Sequence, residues 1–477
     1  MEPLAKQLLA RLARGEPDPE ALARVGVSDP ADDAAAFVAA ARHVDLAGVT
    51  ERWAPALLLS ARPGFGAHSL VAVADAARAA GAPLDLARVP TLPAVLGASN
   101  FLGRLLTRRP EWLAELEGNP PPAPPPESVP EDWGAIRAAK YRGLLRITAR
   151  DLAGRPFAES PGELASLADR CLIASLALAA RETDTRAPAL FALGKLGGEE
   201  LNFSSDVDLL FVYEPPPDLD PLEHNHAIGR LIRHLKTQLE QPTAEGFGYR
   251  VDLDLRPEGR TGVLANSVDA ALTYYEAFGA EWERQMLLRL RAVAGPEDAT
   301  AAFSEGIRPF VFRRLIDPGV LEHVRDMKAR IETERRQAGR DIDADVKEGP
   351  GCIRDVEFFV QSLQLFFGGR EPTLRSGNVI HVLEELGRRE LLPEAIATAL
   401  ADSYLWLRRA EHALQMVEER QKVLFPSKPD AQLALARRMG YADADGAQAR
   451  AGLLEDWTSV RNEVRGHFDA LVLKEPE

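Results

Sequence analysis

Two pairs of aspartates lie in short apolar stretches and are the side chains best suited to chemistry. Asp206 and Asp208 stand one residue apart in "DVDLLFVYE". Asp252 and Asp254 have the same spacing in "YRVDLDLRP". Because successive side chains of a strand point to opposite faces, each pair is predicted to share one face. Carboxylates crowded among apolar groups repel one another, and Mg²⁺ bound by Asp206, Asp208 and Asp252 would relieve that repulsion.

Groups that could contact a phosphate lie near both pairs. Gly197 and Gly198 precede the first pair in "GKLGGEELNFSSD", where glycine permits a positive φ and a close approach of the backbone to an anion. Ser204 or Ser205 could add a hydroxyl donor. Arg256 is predicted to share a face with the second pair, and its planar guanidinium could bind a phosphate. The stretch does not fit the Walker pattern Gly-x4-Gly-Lys-Ser/Thr.

The residues around these positions predict a small α/β unit inside a mostly helical chain. Short apolar segments at 188–196, 206–214 and 246–257 predict three strands. Between the second and the third, residues 222–240 carry apolar side chains on one helical face. Elsewhere, apolar residues recur every three or four positions, which is typical of helices.

The composition excludes several classes of protein. The net charge of −15 argues against a nucleic-acid partner, because general nucleic-acid binding needs a basic face. The two cysteines, Cys171 and Cys352, are too few for a disulfide framework and fit a reducing compartment. No apolar run approaches the roughly 18 residues of a membrane span, and the N-terminus does not resemble a signal peptide. We therefore expect a cytoplasmic protein without a membrane partner.

The order of these features resembles a known superfamily. The pattern of the DNA polymerase β-like nucleotidyltransferases is similar: it has an apolar–Gly–Gly element, then a short loop, then Asp–apolar–Asp and a later Asp. A closer resemblance is carried, in order, by "GKLGGEELNFSSDVDLLFVY", "GYRVDLDLRPEGRTGVLANS", "YYEAFGAEWERQMLLRLRAVAG", "RPFVFRRLID" and "GCIRDVEFFVQSLQLFFGGREPTLRS". These segments resemble the glutamine synthetase adenylyltransferase/adenylyl-removing enzyme family. "ELNFSSD" and "RPFVFRRLID" are similar to its N-terminal, adenylyl-removing half.

The resemblance implies an α+β, mostly α-helical architecture, in which a polymerase β-like nucleotidyltransferase domain is flanked by helical domains. The predicted regions are an N-terminal helical region at 1–116, a proline-rich linker at 117–132, the nucleotidyltransferase domain at 133–275 with its catalytic core at 185–270, and a C-terminal helical bundle at 276–477.

The resemblance also implies an activity. The adenylyl-removing half takes AMP from a tyrosine of glutamine synthetase by phosphorolysis, giving ADP. The implied partners are glutamine synthetase, the uridylylated PII signalling protein, ATP or ADP, and phosphate. The catalytic metal carboxylates of the family correspond to Asp206, Asp208 and Asp252. Lys347 and Arg354 lie near "KEGPGCIRD", a loop that enters a helix, and are candidate phosphate contacts.

Two alternatives remain open at this stage. The same metal site could transfer AMP from ATP to the tyrosine, or the chain could be a non-catalytic domain that docks PII or glutamine synthetase. Two departures from the family pattern bear on activity. Asp254 stands where the family has Arg, and Cys352 stands where it has Gly.

Overall fold

The computed structural model describes residues 7–473, apart from 9, 13, 17, 25–26, 28–29, 119–129, 315–318 and 442–445. Most of the predicted proline-rich linker at 117–132 lies outside the described residues. The spacer role therefore stays a prediction, and so does the division of the chain into four regions.

Helices make up the described chain before the sheet. They are α1 (Pro19–Arg24), α2 (Pro30–Arg42), α3 (Thr50–Leu58), α4 (Pro63–Ala79), α5 (Leu92–Ala98), α6 (Asn100–Arg108), α7 (Trp133–Leu152) and α8 (Glu159–Glu182). Their starts follow capping rules. The Asp132 carboxylate, for example, accepts a hydrogen bond of 2.7 Å from the backbone N–H of Ala135 at the start of α7.

A five-stranded mixed sheet follows. Its strands are β1 (Ala189–Ala192), β2 (Val207–Tyr213), β3 (Val251–Asp252), β4 (Asn266–Ser267) and β5 (Arg291–Ala294). The order is β3-β2-β1-β5, and β4 also pairs with β2. Strand β1 is antiparallel to β2 and β5, whereas β3 and β4 run parallel to β2. Between strands lie the single turn α9 (Gly194–Gly197) and the long helix α10 (Pro221–Glu240). The predicted α+β, mostly helical fold class is confirmed.

Helices flank and follow β5. They are α11 (Val268–Phe278), α12 (Glu281–Leu287), α13 (Glu297–Gly306), α14 (Arg308–Val311), α15 (Gly319–Gln337), α16 (Ile353–Phe367), α17 (Val379–Arg388), α18 (Glu394–Gln415), α19 (Pro429–Arg438) and α20 (Ala447–Leu473).

The predicted third strand at 246–257 is wrong in extent, because β3 contains only Val251 and Asp252. After it the chain turns, since the Asp252 carboxylate accepts a hydrogen bond of 2.7 Å from the N–H of Asp254. Asp252 and Asp254 therefore do not share a strand face. A second correction concerns "LRLRAVAG", which was expected to be helical. It contains β5, whose edge position beside β1 is a tertiary contact that helical spacing does not indicate.

Both faces of the sheet are buried, with alternate residues entering different cores. Leu209 and Phe211 on β2 pack in the core that includes helices α8 and α10 and also residues from the N-terminal helices, from Leu8 onward. Leu210 and Val212 pack on the opposite side with α11 and α13. A separate core joins α16, α17, α18 and α20. The sheet is thus held between helical layers, with its short strand ends near the helices of the C-terminal part.

Candidate active site

A cleft of about 580 Å³ opens where the strand ends meet helices α12, α15, α16 and α18. This volume is in the range of small-molecule sites, about 300–1,000 Å³. Its charged lining residues are Lys195, Asp206, Asp208, Asp252, Arg289, Lys347, Arg354, Glu357 and Glu411. Each helix contributes side chains at spacings of three or four residues, which places them on one helical face. On α16 these are Arg354, Glu357, Phe358 and Gln361.

Asp208 and Asp252 are brought together by strand pairing. They are register partners in the parallel pair of β2 and β3, and both line the cleft. Asp206 lies just before β2 and also lines it. Burial raises the pKa of Asp208 to about 6, and the charges of Asp252 and Asp206 add to this rise, while Lys347 and Lys195 oppose it. Negative charge on Asp208 is thus disfavoured without a further cation.

Gly194 makes room for the Asp208 carboxylate. Its φ is +53°, and a Cβ at this position would stand 2.2 Å from Asp208 Oδ2. The N–H of Leu193 donates to the carbonyl oxygen of Asp208 at 2.9 Å, which fixes the turn against β2. Gly194 is therefore the glycine that the carboxylate site requires, both for its positive φ and for the close approach.

Asp206 has a partner of its own. Arg250 Nε donates to Asp206 Oδ1 at 2.5 Å, and Arg250 Nη2 donates to the carbonyl oxygen of Ser204 at 3.0 Å. Both members of the ion pair are about one third exposed, so the pair adds little stability. Within the described ranges, no three His, Cys, Asp or Glu side chains are grouped closely enough to hold a metal ion.

The chemistry of the donors nevertheless fits a divalent cation. Asp208 and Asp252 carry hard oxygen donors of the kind that Mg²⁺ prefers. Burial first, and the charges of Asp252 and Asp206 second, disfavour the negative charge on Asp208, and a cation would offset both effects. Asp206 would join them by leaving Arg250.

Lys347 lies on a tight loop that enters α16, and Arg354 is the second residue of that helix. The Asp345 carboxylate accepts from the backbone N–H groups of Lys347 and Glu348 at 2.8 and 2.9 Å. The N–H of Arg354 donates to the carbonyl oxygen of Lys347 at 2.9 Å. These bonds place both cations in the cleft lining, where Lys347 makes no ion pair with any side chain that the structure describes.

In the wall of the cleft, Arg289 joins two buried carboxylates. It lies 3.4 Å from Glu200 and 3.2 Å from Glu357, and all three side chains are no more than 6% exposed. Burial raises the pKa of Glu357, but the charges of Arg289, Arg354 and other cations outweigh it and lower the pKa to about 2. At Glu200, burial outweighs the charges of the neighbouring arginines and raises the pKa of the carboxyl. Glu357 is therefore the fixed negative charge of this wall.

A second buried pair connects the glycine turn with α18. Lys195 Nζ donates to both oxygens of Glu411 at 2.8 and 2.9 Å. Burial lowers the pKa of Lys195 to about 8, although Glu411 opposes the shift. One turn further along α18, Gln415 accepts from the N–H of Ser204 at 2.9 Å. Helix α18 thus holds the loop that leads to Asp206.

Six of the predicted site residues line the cleft: Asp206, Asp208, Asp252, Ser205, Lys347 and Arg354. Gly197 and Gly198 do not. A Cβ on Gly197 would stand 1.8 Å from the carbonyl oxygen of Arg289, and one on Gly198 would stand 2.6 Å from that of Gly377. Both glycines thus allow close packing of backbones. The prediction that they contact a phosphate is wrong, because other backbone groups occupy the space beside them.

The prediction that Arg256 contacts a phosphate is also wrong. It is buried, and its guanidinium donates to the carbonyl oxygens of its own loop, including Leu253 at 2.8 Å, Val263 at 2.9 Å and Gly262 at 2.9 Å. A guanidinium whose donors are used in this way stabilises the turn after β3 and does not face the cleft.

The two departures from the family pattern cause no visible conflict. Asp254 points to Arg260, whose Nε donates to it at 2.7 Å, and it lies outside the cleft lining. Cys352 has a φ of −112°, which any residue adopts, while Gly351 beside it takes the positive φ of +72°.

Lys195, Arg289 and Glu411 were not identified from the sequence as site residues. Lys195 stands within the glycine motif, but nothing in its spacing indicates a partner more than two hundred residues away. Glu411 and Gln415 are spaced by four in one helix, a pattern that could have marked a polar stripe facing a site.

Comparison with known proteins agrees with the sequence motifs. Residues 89–306 match the family model of glutamate-ammonia ligase adenylyltransferase, and residues 325–472 match that of PII-uridylyltransferase. A bifunctional glutamine synthetase adenylyltransferase/adenylyl-removing enzyme of Thioalkalivibrio sulfidiphilus is 38% identical over 384 residues, covering 74% of this chain and 39% of that protein. The same-named protein of Xanthomonas campestris is 38% identical over 420 residues, covering 84% and 43%. That of Nitrosococcus oceani is 35% identical over 415 residues, covering 80% and 42%.

The mostly helical fold and the small mixed sheet are those of a nucleotidyltransferase. The chain spans about two fifths of the length of the curated relatives it matches. It belongs to the glutamine synthetase adenylyltransferase/adenylyl-removing enzyme family.

The described part of the chain contains no helix with the length and apolar character needed to cross a bilayer.

Proposed function

We propose that this chain removes AMP from an adenylylated tyrosine of glutamine synthetase by phosphorolysis. One observation carries the proposal. Asp208 and Asp252 are register partners of β2 and β3, and together with Asp206 they line a cleft that also contains Lys347 and Arg354. Clustered carboxylates for a cation, together with positive side chains for phosphate oxygens, are the groups that phosphoryl transfer needs.

In the proposed reaction, an oxygen of inorganic phosphate attacks the phosphorus of the tyrosine-linked AMP. The bond between phosphorus and the tyrosine oxygen breaks, that oxygen takes up a proton, and the products are ADP and free tyrosine. Lys347 and Arg354 bind phosphate oxygens and bring two anionic reactants together. Trapping anions in this way is favourable because Lys347 has no competing ion pair among the described side chains.

A divalent cation, which we take to be Mg²⁺, is part of the proposal. Asp208 and Asp252 would hold it, with Asp206 as a third ligand. Such an ion supplies stabilisation of the negative charge on the transferred phosphoryl group.

The preferred direction rests on the resemblance of "ELNFSSD" and "RPFVFRRLID" to the adenylyl-removing half. The relatives' printed name includes both activities, and their chains are more than twice as long as the matched region. Transfer of AMP from ATP is therefore the reverse outcome to be tested. We further propose PII as a regulatory partner, supported by the match of residues 325–472 to a family named for PII uridylylation.

The direction is tested by two incubations of the purified chain with Mg²⁺. With adenylylated glutamine synthetase and phosphate, we expect ADP release, increased by uridylylated PII. With unmodified glutamine synthetase and ATP labelled in the α-phosphate, we expect no label on the protein. Label uptake without ADP release would reverse the proposed direction. If neither product forms, a docking role is the only one left.

A further inference from the structure

The cleft has a second region that the proposed chemistry does not use. Helix α12 places Trp282, Gln285 and Met286 in the lining, at spacings of three and four residues. Helix α15 adds Met327 and Ile331. These side chains give the cleft an apolar wall built by helices, separate from the carboxylates that the strands supply.

Trp282 is an open aromatic platform. Trp282 is 43% exposed, although it is costly to leave a tryptophan side chain in water. Within the described ranges, no ring or cation stacks on it, whereas the neighbouring Phe358 already has Arg354 at 5.5 Å from its ring centroid. A flat aromatic ligand stacked on Trp282 would cover this surface.

Gln285 is the polar group of this wall and has an unused acceptor. It is 5% exposed, and its Nε2 donates to Gln361 Oε1 at 2.6 Å. Its Oε1 is buried and has no hydrogen-bond partner among the described residues. A buried acceptor without a partner is costly, and a ligand that brings an N–H donor would remove that cost.

We propose that Trp282 and Gln285 form the base subsite of the cleft and select a 6-aminopurine. The ring stacks on Trp282, and its exocyclic amino group donates to Gln285 Oε1. Glutamine is well suited to this task because its amide complements adenine, as in the pairing of Gln with the amino group and ring nitrogen of adenine in DNA readout. A 6-oxo purine places an acceptor opposite Gln285 Oε1 and is rejected. The inference rests on the proposed function, for which it names the residues that choose the nucleotide.

The test measures dissociation constants by calorimetry, with Mg²⁺ present. The ligands are AMP, IMP and purine riboside 5′-monophosphate, which lacks the amino group. The wild-type chain should bind AMP roughly tenfold more tightly than either analogue. In Q285A the three constants should become similar. In W282A all three should weaken by roughly tenfold, and W282F should recover most of the loss. The exposed Gln337 provides the control Q337A, which should behave as wild type.

Equal binding of AMP and purine riboside monophosphate by the wild type overturns the inference. So does unchanged AMP affinity in W282A, which remains a valid test even if the buried Q285A fails to fold. Absence of AMP binding by the wild type also overturns it. Measuring ADP release on the same preparations separates the two proposals. ADP release with unchanged discrimination in Q285A contradicts the base subsite alone, and selective AMP binding without ADP release contradicts the proposed reaction alone.

Discussion

At the scale of single residues, the carboxylate of Asp208 is held where its charge is unfavourable. The cause is burial first and the neighbouring charges of Asp252 and Asp206 second. Residues arranged in this way at the cost of stability are typical of functional sites, because the charge is needed for a ligand and not for the fold.

Replacing Asp208 by Asn should stabilise the metal-free protein at neutral pH. The pKa of Asp208 is raised from 3.8 to about 6, because the folded protein favours the protonated carboxyl. The free energy of unfolding is therefore highest, as far as this group is concerned, below pH 3.8, and it falls as the pH rises through 6. At pH 8, D208N should therefore gain about 3 kcal/mol, and the gain should shrink towards zero at pH 4. Thermal unfolding at both pH values measures the difference.

The same scans give a second result when Mg²⁺ is added. The ion should raise the melting temperature of the wild type and not that of D208N. D254N removes an exposed carboxylate outside the cleft and should respond to Mg²⁺ as the wild type does. Equal stabilisation of D208N by Mg²⁺ would be incompatible with a metal site at Asp208.

Replacing Lys347 by Met should weaken phosphate binding. Lys347 lines the cleft together with Asp208 and has no ion-pair partner among the described side chains, so its charge is available to an anion. We expect the KM for phosphate to rise roughly tenfold in the ADP-release assay, since hydrogen bonds to charged groups contribute about 1.5–3 kcal/mol. K428M changes an exposed lysine outside the cleft and should leave the KM unchanged.

The candidate residues show what spacing can and cannot predict. Aspartates one residue apart at a strand start are close in any fold, so Asp206 and Asp208 could be placed from the sequence. Gly198 and Arg256 could not, because a glycine serves backbone packing as well as anion binding. An arginine likewise saturates carbonyl oxygens as readily as it binds phosphate.

At the scale of elements, buried ion pairs fix the helices around the strand ends. Glu357 on α16 holds Arg289, which follows α12, and Glu411 on α18 holds Lys195 in the glycine turn. Each pair joins elements that are distant in sequence. Loss of one partner would leave the other charge buried and unpaired, which is more costly than the pair itself is favourable.

Replacing Glu357 by Gln should destabilise the protein in a pH-dependent manner. Its pKa is lowered from 4.5 to about 2, so it contributes stability above pH 4.5 that is lost as the pH falls through 2. At pH 7, E357Q should lose about 3 kcal/mol, because the buried Arg289 loses one of its two carboxylate partners and keeps only Glu200. The difference from the wild type should diminish between pH 4.5 and pH 2 in denaturant unfolding. A constant difference over that interval would show that Glu357 is not an ionised partner.

Secondary structure was predictable where local pattern decides it. Helix α10 was expected at 222–240, and it forms at Pro221–Glu240, capped by Asp220. The short strands were less predictable. Strand β3 ends after Asp252 because a side chain begins a turn there, and β5 exists because β1 offers an edge. Neither cause is visible in the periodicity of the sequence.

At the scale of the whole molecule, one connection between the N-terminal helices and the cleft is made by the segment after α18. The segment Met416–Arg420 follows α18 and precedes Gln421 and Val423, which line the cleft. Ser99 Oγ donates to the carbonyl oxygen of Met416 at 2.7 Å, and the N–H of Phe101 donates to that of Val417 at 3.1 Å. These hydrogen bonds hold the segment that leads to the lining residues Gln421 and Val423.

The centre of this connection is the ion pair between Lys140 on α7 and Glu419. Both side chains are 5% exposed, and Lys140 also faces the rings of Phe247 and Tyr249 at 4.2 and 5.2 Å. Burial lowers the pKa of Lys140, while Glu419 opposes that shift. Glu419 has a φ of +52°, which is a strained conformation for a residue other than glycine and needs such contacts to persist.

Replacing Lys140 by Met should lower both stability and ADP release. The free energy of unfolding should fall by about 3 kcal/mol, because Glu419 is left buried without a counter-ion. The double variant K140M/E419Q removes both charges and should recover most of the loss. Unfolding and activity measured on the two variants distinguish the outcomes. A double variant no better than K140M would show that the link depends on something other than this pair.

We propose that Asp206 and Asp208 support phosphorolysis in the cleft. ADP release from adenylylated glutamine synthetase, with phosphate and Mg²⁺, tests it most directly when wild type, D206N/D208N and D254N are compared. We expect release by the wild type and by D254N, and a loss of at least about a hundredfold in D206N/D208N, since the charge stabilisation that Asp206 and Asp208 support is a major part of catalysis. Undiminished ADP release by a folded D206N/D208N protein would contradict it.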